Sequence, residues 1–219
     1  MGRVSGKRMV EKNSVPAFVA LEPDARLTSL IQDLKNQTRS IAGEQLYLAD
    51  PPHLTVYLAA FPSTDVLLER WPQVAARHDD LAVNLVGWHV FEADALTSCQ
   101  TLVCNIAKYD KARLRKLQRE IVDLLAPVRD PAASAQRFAG RTEFLTDDQR
   151  SCIERYGFPF LSDGWEPHFT IGSIRSADWP AVWQALEAKS PHGAYYCARW
   201  RLYQLVAGKP VALDGLGDH

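Results

Sequence analysis

No stretch of this chain approaches the roughly 18 consecutive apolar residues that a membrane-spanning helix needs, so no span is expected. Its four cysteines, Cys99, Cys104, Cys152 and Cys197, make no Cys-x-x-Cys pair and no spacing typical of a zinc knuckle or a disulfide framework. Reduced thiols in a cytoplasm are the expected state. Cys104 and Cys197 sit in apolar strand-like runs and read as small core residues. A metal site on Cys99, Cys104 and His89 is a minor alternative. An excess of charge of one sign is missing too: the net charge is -1, so no global field gathers polyanions and any nucleic-acid contact must be local. Met1 to Lys12 is basic and polar with no apolar run, so no secretory signal is expected in it. Gly6 stands where a myristoylation motif wants Ser or Thr. Residues 1–14 are expected to form a flexible arm, 15–213 one domain, and 214–219 a tail.

What the chain does have is one short phrase, stated twice. Pro52-His53-Leu54-Thr55-Val56 returns as Pro167-His168-Phe169-Thr170-Ile171. In an extended strand, His53 and Thr55 share one face while Leu54 and Val56 share the other, and the second copy obeys the same rule. Each copy therefore reads as a strand with an apolar core face and a face carrying an imidazole and a hydroxyl. The six His and nine Thr of the 219 residues predict about a quarter of one His-x-Thr triplet by chance, so two matched copies carry weight. The bland alternative is two core strands that happen to carry a satisfied histidine.

Around the phrase the chain has a rhythm. Val15 to Leu21 reads as a buried strand, and Leu27, Leu30, Ile31 and Leu34 predict a helix between Asp24 and Gly43. Leu46 to Leu48 can start a strand before the first motif strand. A second helix follows Ser63, which Pro72 should kink or divide. The strand Leu81 to Phe91 switches parity at Gly87, which suggests a bulge there. After the strand Thr101 to Ile106, Leu114, Leu117, Ile121, Leu124 and Leu125 mark an amphipathic helix over about Asp110 to Ala126. Pro127 to Trp165 breaks the pattern. Its Thr146-Asp147-Asp148-Gln149 has the form of a capping box, predicting a helix over about Asp147 to Tyr156 inside an ordered flap. The second motif strand, a helix capped at Asp178 and a long strand from Tyr195 to Val206 complete the chain, with Val211 to Leu213 able to pair. The succession of helix, motif strand, helix and long strand thus occurs twice. The fold class expected is α+β and bilobal: two pseudo-symmetric antiparallel sheets flanked by helices, with a central cleft carrying the two His-x-Thr strands.

Two facing imidazoles can act as general base and general acid in one turnover, because histidine is readily neutral or charged near neutral pH. In-line displacement at phosphorus fits such a pair, with Thr55 and Thr170 offering hydroxyl donors to the non-bridging oxygens. This design requires no metal and no cofactor. Tyr57 shares the face of His53 by parity and either stacks a base or is an ordinary strand aromatic. Trp165 and Phe160 are placed for stacking at the cleft mouth, and Arg175 continues the second motif strand toward a possible phosphate role. The basic residues Lys111, Arg113, Arg115, Lys116 and Arg119 read as a solvated helix face rather than an RNA track. His78, His89, His192 and His219 read as surface or structural.

At His53-Leu54-Thr55-Val56 and His168-Phe169-Thr170-Ile171 the chain resembles the two-histidine (2H) phosphoesterase superfamily, whose signature is a pair of His-x-Thr/Ser-x motifs. The resemblance extends from about Ala17 to Val206. It implies a bilobal fold with a central site, acid and base roles for His53 and His168, and phosphate binding by Thr55 and Thr170. It further implies a metal-independent phosphodiesterase acting on a nucleotide or RNA end that carries a 2',3'-cyclic or 2'-linked phosphate. A monomer is expected. The alternatives are a nucleotide-binding or RNA-end-binding module without turnover, and a 2'-5' RNA ligase using the same residues. The separation of 115 positions from His53 to His168 exceeds what compact members need. The excess is Pro127 to Trp165, where substrate selection is expected.

Overall fold

The computed structural model describes residues 14–76 and 81–213. Most of the expected arm, the whole tail, His78 and His219 lie outside the described residues. The elements run β1 (Val15–Pro23), α1 (Ala25–Ala42), β2 (Leu54–Phe61), α2 (Thr64–Ala75), β3 (Leu81–Phe91), β4 (Gln100–Ile106) and α3 (Lys108–Leu125). Then come α4 (Pro131–Gln136), α5 (Asp147–Tyr156), β5 (His168–Ile174), α6 (Trp179–Leu186), β6 (His192–Val206) and β7 (Lys209–Ala212), with short 3-10 turns between them. The fold is α+β and its sheet is antiparallel throughout.

The helix ends follow their capping chemistry. Asp24 accepts the Leu27 amide at 2.8 Å to start α1, and Gly43 ends it at φ 66°, a backbone angle that costs glycine little. Thr146 and Gln149 form the expected capping box of α5, which spans the expected residues. Two expectations needed correction. Pro72 does not divide α2, because it stands in the last turn, where its missing N–H forfeits one bond to the Leu68 carbonyl just before the helix stops. Leu46 to Leu48 is a turn with a single bridge from Leu46 to Ser173 rather than a strand.

Hydrogen bonds join the two expected half-sheets into one path, β2-β1-β6-β3-β4-β5, with β7 also on β6. The joint is the long strand β6. Its first half pairs with β3 up to Cys197 opposite Leu81, and its second half pairs with β1 from Cys197 opposite Pro23. Both motif strands lie at the ends of this path, and the sheet curls so that β2 and β5 meet. Helices cover one face, over a core of Leu21, Leu54, Val56, Leu102, Phe169 and Ile171 among others. They cross over: α1, which follows β1, packs on β5, and α3, which follows β4, packs on β2. The opposite face is left for a groove.

Candidate active site

Each motif strand carries a bulge, and it falls on the same residue of the phrase. On β2, Thr55 pairs with Ala20 and Tyr57 with Val19, so Val56 is the extra residue. On β5, Thr170 pairs with Val103 and Gly172 with Leu102, so Ile171 is the extra one. Up to that point alternation holds as read: Leu54, Val56, Phe169 and Ile171 are buried, while His53, Thr55, His168 and Thr170 are partly exposed. Past it the parity reverses. Tyr57 therefore does not share the face of His53. It is buried in the core, and its hydroxyl donates to the Tyr156 carbonyl at 2.5 Å. The bulge at Gly87 was legible: between Leu85 and Trp88, β3 places two residues opposite one of β4, and Gly87 has φ 110°.

His53, Thr55, His168 and Thr170 line one cleft of about 840 Å³. The histidines are oriented alike. Nδ1 of His53 lies 2.7 Å from the Pro51 carbonyl, and Nδ1 of His168 lies 2.6 Å from the Glu166 carbonyl. A carbonyl only accepts, so Nδ1 carries the proton in both neutral rings and Nε2 is the basic nitrogen. Ring packing holds each in place: His53 against Phe18 and Tyr203 at 5.1 and 5.7 Å between centroids, His168 against Phe91 at 5.1 Å.

Burial pushes the His53 pKa down to about 4; the Pro51 carbonyl opposes this, while the charges of Lys35 and His168 reinforce it. Burial also lowers His168, opposed by the Glu166 carbonyl and reinforced by the charge of His89. Both imidazoles are thus neutral in the free protein at neutral pH, the state a proton acceptor requires.

The helices supply polar groups that the sequence reading missed. Lys35 on α1 is buried and donates to the Tyr47 and Asp50 carbonyls at 2.6 and 2.9 Å, next to His53. Burial lowers its pKa to about 8. Gln118 on α3 is fully buried and donates to the Val56 carbonyl at 2.9 Å and the Phe160 carbonyl at 3.0 Å, while its Oε1 accepts the Ser162 amide at 3.1 Å. It satisfies the bulge and ties it to the flap. Each stands ten residues into an 18-residue helix, on the apolar stripe. A polar residue on an otherwise apolar stripe is the signal that exposes both.

Trp165 and Phe160 line the cleft, joined by the flap residues Arg137, Phe138, Arg141, Phe144 and Phe158. Arg175 does not. It lies at the far end of β5, where its Nε donates to Asp178 at 2.8 Å, so its expected phosphate role has no place in this cleft. Part of the basic face of α3 is likewise engaged: Lys111 and Arg115 grip the Glu166 carboxylate at 2.5 and 2.9 Å. Cys104 and Cys197 are core thiols, their pKa pushed up to about 12 by burial. Among the described residues no group of three or more His, Cys, Asp or Glu is placed to hold a metal ion, and no helix is long and apolar enough to cross a membrane.

The family described as the 2'-5' RNA ligase superfamily matches residues 21–209. No curated protein matches the chain. Among solved structures, E. coli LigT complexed with NADP+ is similar over 91% of this chain and 93% of that one, at 14% identity and a TM-score of 0.49. Kluyveromyces marxianus Usb1 is similar over 92% and 98%, at 17% identity and a TM-score of 0.44. A structure described as a phosphoesterase is similar over 91% and 94%, at 17% identity and a TM-score of 0.46.

Proposed function

This chain belongs to the 2'-5' RNA ligase superfamily, and from that premise we propose that it is a phosphodiesterase acting on nucleotide or RNA ends that carry a 2',3'-cyclic or 2'-linked phosphate. One observation carries the reading: two neutral histidines, both with Nδ1 committed to a carbonyl and Nε2 left as the reactive nitrogen, line one cleft with two threonines two residues further on. In the proposed reaction, Nε2 of one histidine takes a proton from water as its oxygen attacks phosphorus. One P–O ester bond breaks, and the departing ribose oxygen takes a proton from Nε2 of the other histidine, which becomes an imidazolium when the anionic phosphate binds beside it. Thr55 and Thr170 donate hydroxyl hydrogen bonds to the non-bridging oxygens as charge builds there.

The test is incubation with 2',3'-cyclic nucleotides and 2',5'-linked dinucleotides in EDTA, beside His53→Ala and His168→Ala. Each substitution is expected to lower kcat by about 10²–10⁴-fold, the range of a lost acid or base. Turnover that survives both substitutions would refute the assignment. Tight nucleotide binding without turnover across the panel would instead favour a binding module.

A further inference from the structure

Two flap arginines on the cleft wall have no side-chain partner among the described residues. Arg137 and Arg141 both line the cavity, and neither makes a side-chain hydrogen bond or ion pair among the described residues. Nε of Arg137 is buried without a hydrogen-bond acceptor. Burial first, and then the like charge of Arg141, act against its positive charge, with no carboxylate to offset them. Two other flap guanidiniums are treated differently. Arg129 places Nη1 on the Ala126 carbonyl at 2.7 Å and Nη2 on the Glu154 carbonyl at 3.1 Å, and Arg150 binds the Thr142 carbonyl at 3.0 Å. Those two hold the flap together; Arg137 and Arg141 do not.

A half-buried guanidinium beside a second one is costly without an anion, and a guanidinium fork matches phosphate oxygens better than any neutral group. Phe144, 60% exposed, lines the same cavity and offers a stacking face. The charge of Arg141 is felt at Tyr47, which lines the same cavity from the segment after α1.

We propose that Arg137 and Arg141 form a second phosphate subsite, so that the preferred substrate places one phosphate at the two histidines and another against the flap. This rests on the cleft being the phosphodiesterase site. The second group is either a terminal 5'-phosphate or the internucleotide phosphate of a longer RNA end.

Three substrates separate these: adenosine 2',3'-cyclic phosphate, its 5'-phosphorylated form, and the dinucleotide ApA ending in a 2',3'-cyclic phosphate. The full chain is expected to favour one or both two-phosphate substrates by about 10–100-fold in kcat/KM, the value of a charge-assisted hydrogen-bonded contact. Preference for the 5'-phosphorylated nucleotide identifies the occupant as a terminal phosphate; preference for ApA alone identifies it as internucleotide. In Arg137→Gln and Arg141→Gln the preference should collapse toward unity. Arg141 is exposed, so its substitution does not endanger folding. A wild-type chain that does not discriminate, or variants that keep the full preference, would overturn the subsite. Titration of the His53→Ala chain with adenosine 3',5'-bisphosphate and adenosine 3'-monophosphate decides the matter without turnover. Tighter bisphosphate binding that Arg137→Gln abolishes supports the subsite even if no substrate is cleaved, and equal affinities refute it.

Discussion

The Glu166 carbonyl oxygen lies 2.6 Å from Nδ1 of His168, and the same residue's carboxylate is held by Lys111 and Arg115. One residue thus sets the ring's tautomer through its backbone and anchors that backbone through its side chain. Its negative charge also acts to raise the His168 pKa. In Glu166→Gln the two ion pairs vanish while the carbonyl remains, so Glu166 is a positioning residue. The expected result is a fall in kcat on the order of ten- to a hundredfold with KM little changed, and a pH limb displaced toward acid. An altered kcat with an unmoved pH profile would deny the link to His168.

The lowered pKa values of both histidines predict an unusual pH profile. In the free protein both rings are neutral at pH 7, yet one must be protonated to act as the acid. An anionic phosphate in the cleft favours the imidazolium, so binding raises the pKa of the acid. kcat/KM is therefore expected to peak below pH 7 and fall as pH rises, with the optimum of kcat at higher pH. Coincident profiles would contradict this.

The same shift governs stability. His53 binds its proton near pH 4 in the folded chain and near 6.5 when unfolded. Between those values the unfolded state holds more protons, so stability rises with pH through this window and falls on acidification. Replacing His53 with Gln should flatten the dependence of Tm on pH between about 4 and 6.5, which thermal melts would reveal.

Gln118→Leu tests the tie between bulge and flap. The substitution strands the Val56 and Phe160 carbonyls and the Ser162 amide. Each buried unsatisfied group costs about 1–3 kcal/mol, so the loss of stability should exceed that of an ordinary surface change severalfold. Chemical denaturation measures it directly. Full stability would mean that these groups find other partners.

Tyr57→Phe separates core from cleft. Loss of the hydroxyl leaves the Tyr156 carbonyl without its donor and should cost about 1–3 kcal/mol of stability. KM should not change, because Tyr57 does not line the cleft. A raised KM with unchanged stability would restore the stacking role.

The repeated phrase made His53, Thr55, His168 and Thr170 legible, because alternation along a strand is a local property. Its end was not legible. The extra residue at Val56 is defined by what β1 places opposite it, and with it went the placement of Tyr57. Arg175 failed for a related reason: continuing a strand says nothing about which end of that strand faces the cleft. The α5 helix, capped by its own residues, was read to the residue. Lys35 and Gln118 were written in the sequence as polar breaks in apolar stripes, but their targets are carbonyls that tertiary structure brings to them.

Cys197 pairs with Leu81 across one edge of β6 and with Pro23 across the other. It is therefore the point where the half carrying His53 and the half carrying His168 are riveted together. On the proposed mechanism, the distance between the two histidines depends on the course of this single strand as well as on the two motifs. Stiffness in the middle of β6, away from both histidines, then bears on the proposed proton transfer.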